Sequence, residues 1–359
     1  MDQIVKALGV INSFRVEELS GAANPTSGAR LNFDAQLRGL RLTAADGTDP
    51  GISISCHGFG VRNLSLPTAN DPAIAVDPYA RALRVDLDDR FFARAAIFAK
   101  EPVVADMHRA INRVEMTEVQ TQVRLTPAKV AHVDVELEKL TLQHDQEELI
   151  RILDLSLSVL DFDTKKPPAV AQKEAVVVLR KMRLEIEQRF FERILSAVRK
   201  KIPPVVSKLD IELPGPVMVV DAVAKIKIPI SFRVDLRLET ENDMFGIFFD
   251  RFYVPGTNMK LPGFTRNLLL GLIKTFAEDK LRGLVEISNE SMRINPWSQI
   301  PLNLHKKVKT FSVEERKIVL EFEEPVGDVP QGAHQRALGM SLAAVANREP
   351  VLAPGPAVG

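Results

Sequence analysis

Lys225-Ile226-Lys227-Ile228-Pro229-Ile230-Ser231-Phe232-Arg233-Val234-Asp235-Leu236-Arg237-Leu238-Glu239 carries a large apolar residue at every even position from Ile226 to Leu238. The odd positions are charged, small or proline. Successive side chains on a strand point to opposite faces, so the run specifies one dry face and one wet face. A helix would spread the same residues around its circumference. At about 3.3 Å per residue, Ile226 to Leu238 would reach roughly 43 Å, beyond the usual strand of about 17–20 Å. The stretch is therefore one long, bent strand or two hairpinned ones. Pro229 lacks an amide donor and marks an edge or a bulge.

The same alternation recurs outward from this run, at Leu31–Leu37, Ile52–Cys56, Leu83–Leu87, Val119–Leu125, Val133–Leu137 and Leu155–Val159. Between Leu37 and Leu40 the parity switches at Gly39, as a β-bulge requires. Residues 245–254, 284–292 and 309–322 are also β-like. Residues 1–20 read as a short helical or loose leader, 89–111 as mainly helical and 144–154 as a short helix. The longest helix is expected at 170–201. There Leu184, Phe191, Leu195, Val198 and Ile202 share one helical face, and Pro203-Pro204 ends it. Phe264, Leu268, Leu272 and Phe276 mark a second amphipathic helix after Pro262-Gly263. Lys165-Lys166-Pro167-Pro168 is a linker signal. It divides a β-rich unit at 1–165 from a second unit at 166–324, and 325–359 reads as a disordered tail rich in Pro, Gly and Ala. Arg90-Phe91-Phe92-Ala93-Arg94 is echoed by Arg189-Phe190-Phe191-Glu192-Arg193.

The 359 residues include 47 basic and 47 acidic side chains, a formal net charge of zero. This removes the general attraction on which nucleic-acid binding depends. Eighteen Phe stand against two Tyr and one Trp, and Phe rings want dry surroundings. The single Cys56 excludes an internal disulfide and a Cys-based zinc site. Met1–Val10 lacks a basic n-region and a long apolar core, and no window approaches the roughly 20 apolar residues of a membrane span. These features point to a cytoplasmic location for the chain as given, or to the cell envelope if the native N-terminus is longer. They leave the oligomeric state open.

Gly51-Ile52-Ser53-Ile54-Ser55 lacks the closing glycine and the following helix of a nucleophile elbow. Cys56 and His57 point apart on a strand. Asp161-Phe162-Asp163-Thr164 has no Gly-rich loop beside it. His132, Asp134 and Glu136 share a strand face, but no second His-rich segment completes a metal site. Gly58-Phe59-Gly60 reads as a turn or bulge. No catalytic residue, metal site or cofactor is assigned, and the expectation is a protein that is not an enzyme.

The order in residues 170–323 is long helix, extended strands, second helix, closing strands. With Leu261-Pro262-Gly263-Phe264 and Ile300-Pro301-Leu302-Asn303-Leu304, it resembles the tubular lipid-binding (TULIP) superfamily, nearest to the bacterial LmeA-like phospholipid-binding domain. The resemblance implies an α+β fold: long, strongly curved antiparallel sheets wrapped around long amphipathic helices, with room in the chain for two such units. It implies an apolar groove for a phospholipid or other acyl lipid, with no cofactor beyond that lipid. The lining residues would be Phe191, Leu195, Val198, Ile226, Ile228, Ile230, Phe232, Val234, Leu236, Leu238, Leu268, Leu272 and Phe276. A filled core writes the same alternation, so the other reading is a β-rich interaction or scaffold protein. Arg199, Lys200 and Lys201, with Trp297, Lys306 and Lys307, either dock on an anionic membrane surface or serve as helix capping and edge protection.

Overall fold

The computed structural model describes residues 11–26, 30–44, 49–69, 71–99, 102–199, 206–225, 229–241, 244–257, 259–263, 266–267, 270–271, 274, 285–288, 290–299 and 302–325, the first two stretches as backbone alone. Among these residues 64% are strand and 17% helix, arranged on two sheets. The expected α+β fold with long amphipathic helices is therefore corrected to a mostly antiparallel β fold with short helices.

The chain runs β1 (Ile11–Thr26), β2 (Arg30–Ala44), β3 (Ile52–Ser65), β4 (Ile74–Leu87), α1 (Asp89–Ala99), β5 (Arg113–Leu125), β6 (Val130–His144) and β7 (Glu147–Asp163). It continues through α2 (Pro168–Glu174), β8 (Val176–Glu187), α3 (Gln188–Val198), β9 (Val206–Glu212), β10 (Met218–Lys225), β11 (Pro229–Glu241) and β12 (Met244–Tyr253). The last strands are β13 (Val285–Ile287), β14 (Ser291–Ile294), β15 (Asn303–His305), β16 (Lys307–Glu314) and β17 (Lys317–Glu323).

Three helix expectations fail for identifiable reasons. The stretch expected as one helix at 170–201 is α2, then β8, then α3. Val176-Val177-Val178 is β-branched, and Leu184 and Ile186 alternate with Arg183, Glu185 and Glu187, which suits a strand. Leu184 matched the helical spacing only because a strand and a helix of suitable lengths follow one another. The helix expected at 144–154 is a hairpin: Asp145 and Gln146 take φ of 50° and 71°, and His144 pairs with Glu147. Two positive φ values in a two-residue loop are the signature of a type I′ turn. The expected leader at 1–20 gives way to strand β1 from Ile11. The expected helix residues Phe264, Leu268, Leu272 and Phe276, and the tail 326–359, lie outside the described residues.

Of the opening run, Lys225 ends β10, Pro229 to Glu239 lie on β11, and Ile226 to Ile228 fall outside the described residues. β10 and β11 pair antiparallel, with Lys225 opposite Pro229, and Pro229 sits at a strand start, where a missing donor costs least.

The large sheet has eleven strands among the described residues, in the order β1 to β8, then β17 and β16; β15 adds in parallel along the other half of β8. Strands from both sides of the Lys165–Pro168 signal thus belong to one continuous sheet. The small sheet has the order β13-β14-β12-β11-β10-β9. Its apolar side packs against β16, β17 and α3, where Phe232, Val234, Leu236 and Leu238 meet Phe249, Phe252, Val313, Ile318 and Phe191. The echoed pentapeptides occupy equivalent places. Each opens a helix directly after the fourth strand of a meander, α1 after β1–β4 and α3 after β5–β8. In each the two rings meet edge to face, Phe91–Phe92 at 5.1 Å and Phe190–Phe191 at 5.7 Å.

A crease crosses the large sheet. Along β3 the apolar parity runs through Cys56, then resumes three residues on at Phe59. The same step separates Ala80 from Leu83, Met116 from Val119, Leu137 from Leu140 and Ile152 from Leu155. These steps are in register, because Cys56 pairs with Leu83, Leu83 with Met116, Met116 with Leu140 and Leu140 with Ile152. A slip in one strand alone would flip every residue beyond it to the other face. Slipping at one level in every strand keeps all the apolar residues together. Gly58, Glu118 and Asp154, on β3, β5 and β7, absorb the slip with φ of 62°, 50° and 52°. The step at Gly39 lies one pair away from this line: Leu37 is opposite Cys56, and Leu40 is opposite Ile54.

Candidate functional site

The crease gives the large sheet two chemically opposite faces. One carries ions. Asp86 takes Arg84 at 2.8 Å and Arg113 at 2.7 Å. Gln143 donates to Glu115 and Thr141 at 3.0 and 2.8 Å. Glu185, only 6% exposed at its side chain, meets Arg183, Lys317 and Arg151 at 2.8, 2.9 and 3.0 Å. Burial alone would raise the Glu185 pKa, but hydrogen bonds from Lys317 and Arg183, together with nearby positive charge, hold it below the ordinary 4.5. A depressed carboxylate stabilises the fold above its unfolded-state pKa, and that contribution disappears as pH falls through the folded value. Glu185→Gln should therefore cost about 1.5–3 kcal/mol at pH 7. In urea titrations the gap from the parent should close as pH drops below about 4.5.

The other face is oily. From β3 to β7 it presents Ile54, Val85, Met116, Val119, Val135 and Ile152, each half-buried. Across strands they meet apolar partners: Ile54 opposite Val85, Val119 opposite Leu137, Val135 opposite Leu157. Toward β8 and β17 this face is covered. Leu179, Val308, Leu320 and Phe322 form a packed cluster with Phe245, Trp297 and Phe311, and the cluster reaches Leu155 and Leu157 of β7. Among the described residues the packed clusters stop there, and none includes a residue of β3 to β6.

The residues expected to line a groove fall in several places. Phe232, Val234, Leu236 and Leu238 are buried in the core cluster of the small sheet, and Phe191 packs on that cluster. Ile230 and Leu195 are half-buried. Ile226, Ile228, Leu268, Leu272 and Phe276 lie outside the described residues, as does the Val198 side chain. Of the expected docking residues, Arg199 is exposed at the end of α3. Trp297 faces inward onto Phe245 and Phe322. Lys306 sits over the Trp297 ring at 4.9 Å, and Lys307 pairs with Glu323 at 2.6 Å. Lys200 and Lys201 fall outside the described residues.

The other candidate motifs prove structural. Asp134 takes a hydrogen bond from Ser158 and an ion pair from Arg180 at 2.8 Å. His132 accepts the Asp161 amide at 3.3 Å, and Glu136 is exposed. Among the described residues no group of three or more His, Cys, Asp or Glu side chains could hold a metal ion. Cys56 lies on the oily face, its thiol pKa pushed up by burial, while His57 is exposed. A polar depression of about 260 Å³ is lined by Glu147, Glu148, Glu187, Gln188, Arg189 and Arg316. Its acids are already engaged, Glu147 by Arg189 and Arg193, Glu148 by Lys139 and Glu187 by Arg151.

No protein family, curated protein or solved structure matches the chain. The site must therefore be read from its own chemistry. Among the described residues no helix is long and apolar enough to cross a membrane. Ile54, Val85, Val119 and Val135 of the oily face belong to alternating runs legible in the sequence, whereas Met116 lay outside those runs and Ile152 inside an expected helix.

Proposed function

We propose that this protein binds acyl chains of a phospholipid or other lipid, without catalysis, along the oily face of β3 to β7. One observation carries the reading: an apolar surface continuous across five strands, over which the packed clusters of the described residues do not extend. Contiguous apolar surface of this kind marks a binding site. Moving each CH₂ into water costs about 0.8 kcal/mol, so a chain of about 15 such groups resists extraction by on the order of 12 kcal/mol. A dry sheet face lowers that barrier and needs no reactive group. Such a carrier would meet its membrane peripherally.

The test has two parts. Lipid extracts of the gently purified full chain should contain acyl lipids by mass spectrometry. Val135→Asp should weaken binding of a fluorescent fatty acid at least about tenfold, because a charge buried under hydrocarbon is severely penalised, while the thermal midpoint moves little. Bound fatty acid should also slow alkylation of Cys56 on the same face. Absence of lipid and of saturable binding, with sedimentation showing two copies joined through this face, would overturn the reading.

A further inference from the structure

The oily face ends at an aromatic wall with one unexplained polar atom. Trp297, in a short 3-10 turn (Pro296–Gln299), meets Phe245 at 5.8 Å and Phe322 at 5.7 Å, both edge to face. Phe245 in turn meets Phe311 at 4.9 Å. This wall belongs to the cluster that reaches Leu155 and Leu157, so it stands where the β3 to β7 face meets the packed clusters of the described residues. The indole Nε1 of Trp297 is buried without a hydrogen-bond acceptor among the described residues. A buried N–H usually has a partner, and Trp carries no acceptor to soften the loss. Phe245 and Phe322, which meet the indole, offer none. The Lys306 ammonium, 4.9 Å from the ring centroid, brings positive charge to the same indole.

We infer that Trp297 Nε1 and Lys306 anchor the oxygen end of the acyl ligand, a carboxylate or an ester carbonyl, while its hydrocarbon lies on β3 to β7. This rests on the acyl-binding reading. The indole N–H donates to either oxygen; the ammonium favours the carboxylate. The wall also stops the chain from running further toward β17.

Trp297 is the single tryptophan of the chain, so its emission reports on its own surroundings. The full chain is titrated with oleate, methyl oleate and 1-octadecene, reading Trp297 emission and displacement of cis-parinaric acid. Trp297→Phe keeps a ring and removes the donor. It should weaken oleate about tenfold or more and methyl oleate about fivefold, the factors expected for losing a charged and a neutral hydrogen bond, and leave octadecene unchanged. Lys306→Met should weaken oleate more than the ester, and gives the same discrimination if Trp297→Phe folds poorly. Equal loss for all three ligands, or no loss for any, overturns the anchor. If Val135→Asp still abolishes binding in that case, the acyl-binding face stands without it. Failure of the parent protein to bind any of the three overturns both.

Discussion

Leu236→Ala should lower the unfolding free energy by about 2–5 kcal/mol, the range for truncating a buried leucine, and leave acyl binding untouched. Leu236 is 8% exposed. It lies opposite Met218 on β10 and Phe249 on β12, inside the cluster that joins the small sheet to Val313 and Ile318. Removing its side chain leaves a cavity that neighbours on two sheets cannot close without moving together, which is why the cost exceeds simple transfer. Urea denaturation measures the first half of the expectation, and fatty-acid displacement the second. The opposite outcome, normal stability with lost binding, would return the ligand to the small sheet.

That contrast marks what the sequence could show. Alternation from Ile230 to Leu238 correctly announced a two-faced strand, β11, which pairs with β10 from Lys225 opposite Pro229 onward. Alternation says that a face is oily, but not whether another layer covers it. Covering is decided by partners far along the chain: Val313 and Ile318 close over β11, while Val119 and Val135 receive no such neighbours from the clustered core. Much of the apolar alternation of β3 to β7 was visible in the residues, yet its continuity was hidden by the three-residue steps. Each step breaks the period in a single strand and makes sense only when strands are laid side by side. Gly39 and Gly58 advertise the step through glycine; Glu118 and Asp154 perform it without that sign. The helix expected at 170–201 failed for a related reason. Leu184 and Phe191 are seven residues apart, a spacing that fits a helix face. Here the two side chains stand on a strand and on the helix that follows it.

Asp134→Ala should be the most damaging single change on the ionic face, costing about 3–5 kcal/mol, the usual effect of leaving one half of a buried ion pair behind. Asp134 is 8% exposed and Ser158 fully buried. The carboxylate accepts from Ser158 and pairs with Arg180, and its second oxygen is buried without a hydrogen-bond partner. Little water is available to replace the lost carboxylate, because the Arg180 side chain is only 14% exposed. Leu160, Val176 and Val178 form an apolar cluster on the neighbouring strands. The double variant Asp134→Ala/Arg180→Leu should therefore recover much of the loss, since apolar replacement of a buried pair is often neutral or better. A double-mutant cycle in urea would then give a coupling of about 0.5–3 kcal/mol. A double variant as unstable as the sum of the singles would mean a coupling of zero, so that Asp134 and Arg180 do not depend on each other and the ion-pair account of the loss is wrong.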